Sequence, residues 1–220
     1  MSISKVYDVV TQKILVGENT FVLDTLKDKQ QYYDPAGTAE ALGISSATWS
    51  LFGVIWQSGL VLANIVDSMS IKDRSILELG CGIALPGMVA SSKGADVTVS
   101  DYHPLAKPFL LKNVEVNGLK AIKYVTGDWR RPITQIGRFD IVIASDVLYE
   151  RTHPEQLSSF IDCHTTDSAE VIVVDPKRKN GNKFVTHMKR RGFTVNIERI
   201  RANKRLGLSF NGNVYRFQRI

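Results

Sequence analysis

From Ser75 onward the chain alternates between short apolar, β-branched runs and helical runs, and this alternation most constrains its fold. Strands are expected at Ser75–Leu79, Asp96–Ser100, Lys123–Thr126, Phe139–Ala144, Glu170–Val174, Phe193–Ile200 and Val214–Ile220. Helices are expected between them at Pro86–Ser92, Leu105–Val116, His153–Cys163 and Lys183–Arg191. Strands that alternate with helices form a parallel sheet with helices on its faces. The sequence therefore predicts an α/β fold.

The end of the chain departs from this parallel pattern. Asn211-Gly212 separates the last two predicted strands, and this dipeptide is a strong signal for a hairpin. We therefore expect a seven-stranded sheet whose last strand is antiparallel.

The residues before the first core strand follow a different pattern. Tyr7–Val16 and Thr20–Leu26 predict a β-hairpin around Gly17-Glu18-Asn19, and Trp56–Met69 predicts a helix. We expect residues 1–70 to form an extension that packs on a domain of residues 71–220.

The segment between the first core strand and its helix is rich in glycine. It runs Glu78-Leu79-Gly80-Cys81-Gly82-Ile83-Ala84-Leu85-Pro86-Gly87. Gly80 and Gly82 lack the Cβ that would block a sharp turn or the close approach of a ligand. The amides at the start of the helix then face a negatively charged group. Because nicotinamide, flavin and S-adenosylmethionine (SAM) sites share such loops, the glycines alone do not choose among these cofactors.

Three further features favour SAM. Asp101 lies at the end of the second core strand, where an acid hydrogen-bonds ribose hydroxyls. Asp128 and Trp129 follow the third strand, and we expect them to bind the adenine amino group and the adenine ring. The third glycine of the loop is displaced to Gly87, whereas a pyrophosphate cofactor favours Gly-x-Gly-x-x-Gly.

The residues after the fourth core strand suggest the acceptor site, because ligands of open α/β sheets bind at the carboxyl ends of strands. Asp146 and Tyr149 are three residues apart, so one helical turn would aim both side chains at the same place. A carboxylate and a phenol near a sulfonium methyl predict a pocket for an amine. We expect Asp146 to orient the amine and Tyr149 to shape the channel.

Together these motifs resemble the seven-β-strand protein lysine methyltransferases, often called methyltransferase family 16, over roughly residues 50–200. The resemblance implies a Rossmann-like methyltransferase sheet, SAM as the cofactor and a protein lysine as the methyl acceptor. It implies that Asp146 and Tyr149 match the Asp-x-x-Tyr/Phe motif of the lysine channel, and that Trp56 contacts the cofactor. The expected catalytic residues are Asp146 and Tyr149. The expected cofactor-binding residues are Trp56, Glu78, Gly80, Cys81, Gly82, Asp101, Tyr102, Asp128, Trp129, Ala144 and Ser145.

The positive charge of the chain is compatible with methyl acceptors other than a protein lysine. The formal net charge is +6, with much of the excess late in the chain, in Lys177–Lys179, Lys189–Arg191 and Arg199–Arg205. Such residues attract nucleic acid or an acidic protein, or they form a solvated surface. A small amine or pyridine-like metabolite is a second alternative acceptor. A SAM-binding scaffold without catalysis is disfavoured by Asp146 and Tyr149.

The remaining composition sets simpler expectations. Two cysteines and four scattered histidines predict neither a disulfide framework nor a metal site, and they favour a cytoplasmic compartment. We expect neither a membrane span nor a secretory signal, because apolar runs are short and the first residues lack a signal pattern. Since nothing in the sequence indicates a dimer, a monomer is expected.

Overall fold

The computed structural model describes residues 7–131, 133–201 and 210–219. Its first elements are an antiparallel hairpin, β1 (Val9–Val16) and β2 (Asn19–Leu26), in which Val16 pairs with Asn19 across a tight turn. The hairpin expected from the sequence is confirmed. It is followed by α1 (Thr38–Leu42), α2 (Ser46–Trp49), a 3₁₀ turn (Ser50–Gly53) and α3 (Gln57–Ser68). The short helices before α3 were not predicted from the sequence.

The rest of the described chain forms the expected seven-stranded sheet with helices on both faces. Its elements, in chain order, are β3 (Ser75–Leu79), α4 (Leu85–Ser92), β4 (Asp96–Asp101), α5 (Ala106–Val116), β5 (Lys123–Thr126), β6 (Phe139–Ser145), α6 (His153–Cys163), β7 (Thr165–Asp175), α7 (Gly181–Arg190), β8 (Phe193–Ile200) and β9 (Gly212–Arg219). The strand order is β5-β4-β3-β6-β7-β9-β8. The Rossmann-like methyltransferase topology predicted from the sequence is confirmed.

The last strand is antiparallel, as predicted, but Asn211-Gly212 does not form a two-residue hairpin turn. β9 runs antiparallel to both β7 and β8, and Gly212 already pairs with Ile200. The connection is therefore residues 201–211. A Cβ at Gly212 would collide with the carbonyl oxygen of Asp175 and the ring of Phe210. The glycine here permits a close backbone approach at the start of β9.

Two apolar cores fill the two faces of the sheet because alternate residues of a strand point to opposite faces. On β7, Val171 and Val173 belong to the core beneath α6 and α7. Ile172 and Val174, on the same strand, belong to the core shared with α3, α4 and α5. This alternation keeps the sheet buried on both faces and leaves its strand ends for a site.

The amino-terminal extension packs against α5. Asn113 of α5 and Asn117, immediately after it, accept hydrogen bonds from the backbone N–H groups of Asp24 and Val22, at 2.7 and 2.8 Å. Trp49 and Phe52 share a smaller apolar cluster with Phe109 of α5. The division of the chain at residue 70 stays a prediction.

One helical stretch is long and apolar enough to span a membrane by length and composition. It is Ser46–Ser68, with a hydropathy of 1.5, and half of its most apolar window is buried inside the protein. α3, its longest part, contacts α4, β6 and β7. Since a core helix passes the same test, the stretch is weak evidence for a span.

Candidate active site

The parallel strands bring the predicted residues to one edge of the sheet. β3 lies between β4 and β6, and all three are parallel. After β3 the chain adds β4 and β5 on one side of β3, and it then returns to add β6 on the other side of β3. The crevice at such a reversal of strand order is where ligands of open α/β sheets bind. The loops after β3, β4, β5 and β6 carry nearly all of the predicted site residues.

The glycine loop is held by main-chain contacts. Gly82 has a φ of 51°, and its N–H donates to Oδ2 of Asp101 at 2.7 Å. A Cβ at Gly82 would lie 2.7 Å from the carbonyl oxygen of Phe52 in the extension. Cys81 is buried, its N–H donates to the Ser100 carbonyl at 3.1 Å, and burial raises the pKa of its thiol. Cys81 is therefore a packed loop residue and not a nucleophile at neutral pH.

Asp101 is positioned by backbone groups on both of its carboxylate oxygens. Oδ2 accepts from Gly82, and Oδ1 accepts from the N–H of His103 at 2.8 Å. Burial raises the pKa of Asp101 above its ordinary value, and the hydrogen bonds from the backbone act in the opposite direction. The acid thus lies beside the glycine loop, where the sequence analysis expected it.

Glu78 lies behind the loop. Its side chain is buried, and Oε2 accepts the N–H of Gly87 at 2.7 Å, in the first turn of α4. Burial raises the pKa of Glu78 to about 8, against the lowering effect of the Gly87 hydrogen bond. The carboxylate of Glu78 therefore caps α4 by accepting a backbone N–H group that has no partner within the helix. The predicted contact of Glu78 with the cofactor stays a prediction.

Three other predicted residues lie where the extension meets the sheet. Trp56 is half-buried immediately before α3, and its Nε1 donates to the Leu51 carbonyl at 2.9 Å. Ser145, after the buried Ala144, faces α3, since its Oγ lies 3.6 Å from where a Cβ at Gly59 would be. Tyr102 follows Asp101, and its hydroxyl donates to the Leu42 carbonyl at 2.7 Å.

Asp128 and Trp129 have different surroundings. Both oxygens of Asp128 accept from Nε of Arg130, at 2.8 and 2.9 Å, and this hydrogen bonding lowers the pKa of Asp128. The carboxylate that was expected to bind adenine is therefore already paired. Trp129 lies over the glycine loop, with Cζ2 3.3 Å from the position of a Cβ at Gly80.

Asp146 and Tyr149 follow β6, but they do not lie on a helical turn. Asp146 has a φ of 56°, and its N–H donates to the Val174 carbonyl at 2.9 Å. Its side chain is 10% exposed, and Oδ1 accepts from Nε of Arg178 at 2.8 Å. Tyr149 is 51% exposed. The helical turn expected from the spacing of Asp146 and Tyr149 is therefore wrong, because the segment is irregular and Asp146 adopts the left-handed conformation.

Arg178 and His153 are site residues that the sequence analysis did not select. Arg178 comes from the loop after β7 and pairs with Asp146. His153 packs edge-on against both Trp129 and Tyr149, at ring-centroid distances of 5.2 and 4.6 Å. Its Nδ1 donates to the Val147 carbonyl at 2.7 Å. The spacing of four residues between Tyr149 and His153 is not a helical signal for the second contact, because Tyr149 lies in the irregular segment before α6.

The loop after β7 is tied to the loop after β6. Nδ2 of the buried Asn180 donates to the carbonyls of Leu148 and Glu150, at 2.9 Å each. Asp175 is buried, and its Oδ2 accepts the N–H of Arg178 at 2.8 Å. Burial raises the pKa of Asp175 to about 6. These contacts fix the backbone from which Arg178 reaches Asp146.

The sheet topology, the glycine loop and the acid after the neighbouring strand define a SAM-dependent methyltransferase. The chain belongs to the lysine methyltransferase family, whose model matches residues 41–191. The family resemblance noted from the sequence is confirmed. In the described part of the chain, no group of three or more His, Cys, Asp or Glu residues is arranged to hold a metal ion.

Curated relatives agree with this family. The protein N-lysine methyltransferase METTL21A of Xenopus tropicalis is 29% identical over 151 residues, which cover 64% of this chain and 70% of that protein. METTL21A of Danio rerio is 27% identical over 158 residues, or 66% of this chain and 72% of the relative. The histidine protein methyltransferase 1 homologue of Dictyostelium discoideum is 30% identical over 121 residues, which are 50% of this chain and 38% of that protein.

Solved structures share the fold. The structure of SMU.776, described as a methyltransferase complexed with SAH, superposes with a TM-score of 0.67 at 14% identity. The match covers 94% of this chain and 56% of that chain. Magnesium protoporphyrin IX methyltransferase (ChlM) from Synechocystis PCC 6803, with bound SAM, gives a TM-score of 0.57 at 18% identity, over 74% of this chain and 78% of that one.

Proposed function

We propose that this enzyme methylates a lysine side chain of a protein substrate at the edge where β3 and β6 end, with Asp146 as the residue that receives the amine. The observation that carries the proposal is the position of Asp146: it follows the strand beside the glycine loop, and its carboxylate is held by Arg178 at 2.8 Å. The names of the METTL21A relatives support a protein lysine as the acceptor.

The residues around the glycine loop fit SAM. The carboxylate of Asp101 is the group expected to hold ribose hydroxyls, and it lies against the N–H of Gly82. Trp129, which lies against Gly80, is suited to contribute aromatic surface for the adenine ring, and we assign Trp56, immediately before α3, to the cofactor as well. Bound SAM supplies an electrophilic methyl group on a positively charged sulfur. Holding the acceptor nitrogen in line with that methyl is the main task of the protein.

The acceptor amine has to lose a proton before it attacks. With a pKa near 10.4, a free lysine is neutral about once in ~2,500 molecules at pH 7. A carboxylate alone would hold the ammonium form and oppose this loss. Because Arg178 pairs with Asp146, its positive charge offsets that effect. Asp146 then orients the amine by hydrogen bonding, while the charge of Arg178 favours the neutral form.

Tyr149 is suited to form a wall of the acceptor channel. Although Tyr149 is half-exposed, desolvation of its hydroxyl, followed by the negative charges of Asp101, Glu150 and Asp146, raises the pKa of Tyr149 above its ordinary value. The phenol therefore stays protonated at neutral pH and keeps a hydrogen to donate. His153 supports the ring from one side. We assign Tyr149 to binding the lysine side chain.

Substitution of Asp146 by asparagine tests this assignment, with the matched charge change Glu150→Gln as the control in the same loop. Radiolabelled SAM is incubated with a lysate of cells that lack this enzyme, and labelled protein is hydrolysed to identify methyl-lysine. We expect Asp146→Asn to reduce the label by at least about 100-fold without changing SAM affinity in calorimetry. Glu150→Gln retains the label. Unchanged labelling by Asp146→Asn, or label that ribonuclease removes, contradicts the proposal.

A further inference from the structure

The described members of the late basic runs divide between two opposite edges of the sheet, whereas Lys204 and Arg205 lie outside the described residues. β8 runs antiparallel to β9, and β9 runs antiparallel to β7, so the carboxyl ends of β7 and β8 lie at the same edge. Asn213 of β9 pairs with Asp175 on one side and with Arg199 on the other. Arg199 and Arg201 therefore lie at the edge that carries Asp146. The run Lys189–Arg191 precedes β8 and lies at the opposite edge.

Three exposed residues on the site side form a cluster that we call the basic edge: Lys177, Arg199 and Arg201. Partial desolvation, and after it the charges of Arg199 and Arg201, lower the pKa of Lys177. Lys177 has a φ of 60°, and its Nζ donates to Oδ1 of Asn211 at 2.7 Å. The cluster is thus close enough for its cations to repel one another.

The described ion pairs do not neutralise this cluster. Among the described residues, no salt bridge includes a member of the basic edge. Asp146, the acid at the same edge of the sheet, is paired with Arg178. Glu198, on β8, is the exposed acid beside Arg199 in sequence. Like charges held together raise the free energy of the unbound protein, and an anionic partner relieves that repulsion.

We propose that the basic edge docks an acidic segment of the protein substrate next to the target lysine. The inference rests on the proposed function, because the methyl acceptor is a protein. Asp146 follows β6, and Arg199 lies three strands away, which at about 4.8 Å per strand is roughly 14 Å. An extended peptide covers this distance in about four residues. Acidic residues within about three to six positions of the target lysine therefore reach the basic edge.

Peptide binding with matched charge reversals tests this surface. The probes are two fluorescent 15-residue peptides with a central lysine, one carrying glutamates three to six positions away and the other carrying glutamines. Binding is measured by anisotropy at low salt in the presence of SAH. We expect the acidic peptide to bind the wild-type enzyme at least 10-fold more tightly than the neutral peptide. The double variant Lys177→Glu/Arg199→Glu loses this preference, whereas Lys189→Glu/Arg190→Glu changes the affinity less than twofold.

Several outcomes overturn the proposal: equal binding of the two peptides, no binding of either, or equal losses in the two double variants. Tighter binding of a single-stranded RNA that competes with the acidic peptide assigns the basic edge to nucleic acid and overturns it as well. SAH affinity and melting temperature show that each variant is folded. Because Asp146→Asn keeps the basic edge intact, acidic-peptide binding by that variant separates failure of this inference from failure of the proposed catalytic role.

Discussion

The two halves of the candidate active site hold their acids by different means. On the cofactor half, Asp101 accepts from the backbone N–H groups of Gly82 and His103. On the acceptor half, Asp146 is held by the side chain of Arg178, which is itself 42% exposed. Backbone donors move only when the chain moves, whereas an exposed guanidinium has many rotamers. The position of Asp101 in the cofactor half is therefore fixed by the backbone. The position of Asp146 in the acceptor half depends on a side chain that can change its rotamer or be substituted.

This difference suits a family whose members share one cofactor and differ in acceptor. A side-chain pair such as Asp146 with Arg178 is altered by single substitutions without disturbing the sheet. Changes on the cofactor half leave buried backbone donors without partners, which costs about 1–3 kcal/mol each. We expect substitutions in the cofactor half to lower SAM affinity, and substitutions in the acceptor half to lower kcat/KM for the protein substrate without changing SAM affinity.

The largest effect is expected for Asp101→Ala. The substitution removes the proposed ribose ligand and leaves the N–H groups of Gly82 and His103 without their acceptor. Affinity for SAM, measured by calorimetry, should fall at least about 100-fold, or about 3 kcal/mol. Asp101→Asn keeps one acceptor oxygen and should lose less. SAM affinity within threefold of the wild type in a folded Asp101→Ala protein would remove Asp101 from the cofactor site.

A second prediction concerns the buried acid beneath the cofactor half, Glu78. Its folded pKa of about 8 lies above its ordinary value of 4.5, so the stability it contributes is full below pH 4.5 and is lost as pH rises through 8. Between pH 6.5 and 8 the wild-type protein should lose about 2 kcal/mol of unfolding free energy through this group. Glu78→Gln stays neutral and should lack this slope in urea titrations at the two pH values. Parallel slopes for both proteins would show that Glu78 is ionised in the folded state.

The fold was largely predictable, because regular alternation governs most of it. The bounds of β3, β5, β8 and α6 were predicted from their apolar runs and flanking residues. The helices α1 and α2 were missed because they have only five and four residues, too few for a periodic pattern. α1 begins instead through a local contact, in which the carboxylate of Asp34 accepts the N–H groups of Thr38 and Ala39.

The site was predictable in its positions but not in its pairings. Strand ends locate Asp101 and Asp146 at one edge, since parallel strands place their carboxyl ends together. The partners of these acids depend on which side chains the tertiary fold brings near. Arg178 is 32 residues from Asp146 in the chain, and no local pattern links the two. Arg130 is only two residues from Asp128, but nothing in the sequence showed that its side chain would turn back onto the carboxylate expected to bind adenine.

The third prediction concerns the acceptor half and its pH dependence. Arg178→Gln removes the positive charge that offsets Asp146, so the pKa of the bound lysine amine should rise. The ascending limb of the pH profile of kcat/KM should move upward by about one pH unit after solvent screening, which lowers the rate at pH 7 about 10-fold. SAM affinity should not change. A loss of stability alone would reduce the rate at every pH, so a uniform reduction would contradict the charge role of Arg178.

The smallest expected effect is for Tyr149→Phe, which keeps the aromatic wall and removes one hydroxyl. The ring remains packed edge-on against His153, and because Tyr149 is half-exposed, the lysine nitrogen can replace the lost hydroxyl contact with water. We expect kcat/KM for the protein substrate to fall about threefold, since a hydrogen bond exchanged with solvent contributes roughly 0.5–1.5 kcal/mol. Calorimetry should show SAM affinity within twofold of the wild type. If SAM affinity falls more than kcat/KM for the protein substrate, Tyr149 belongs to the cofactor half, and the two halves are not separate.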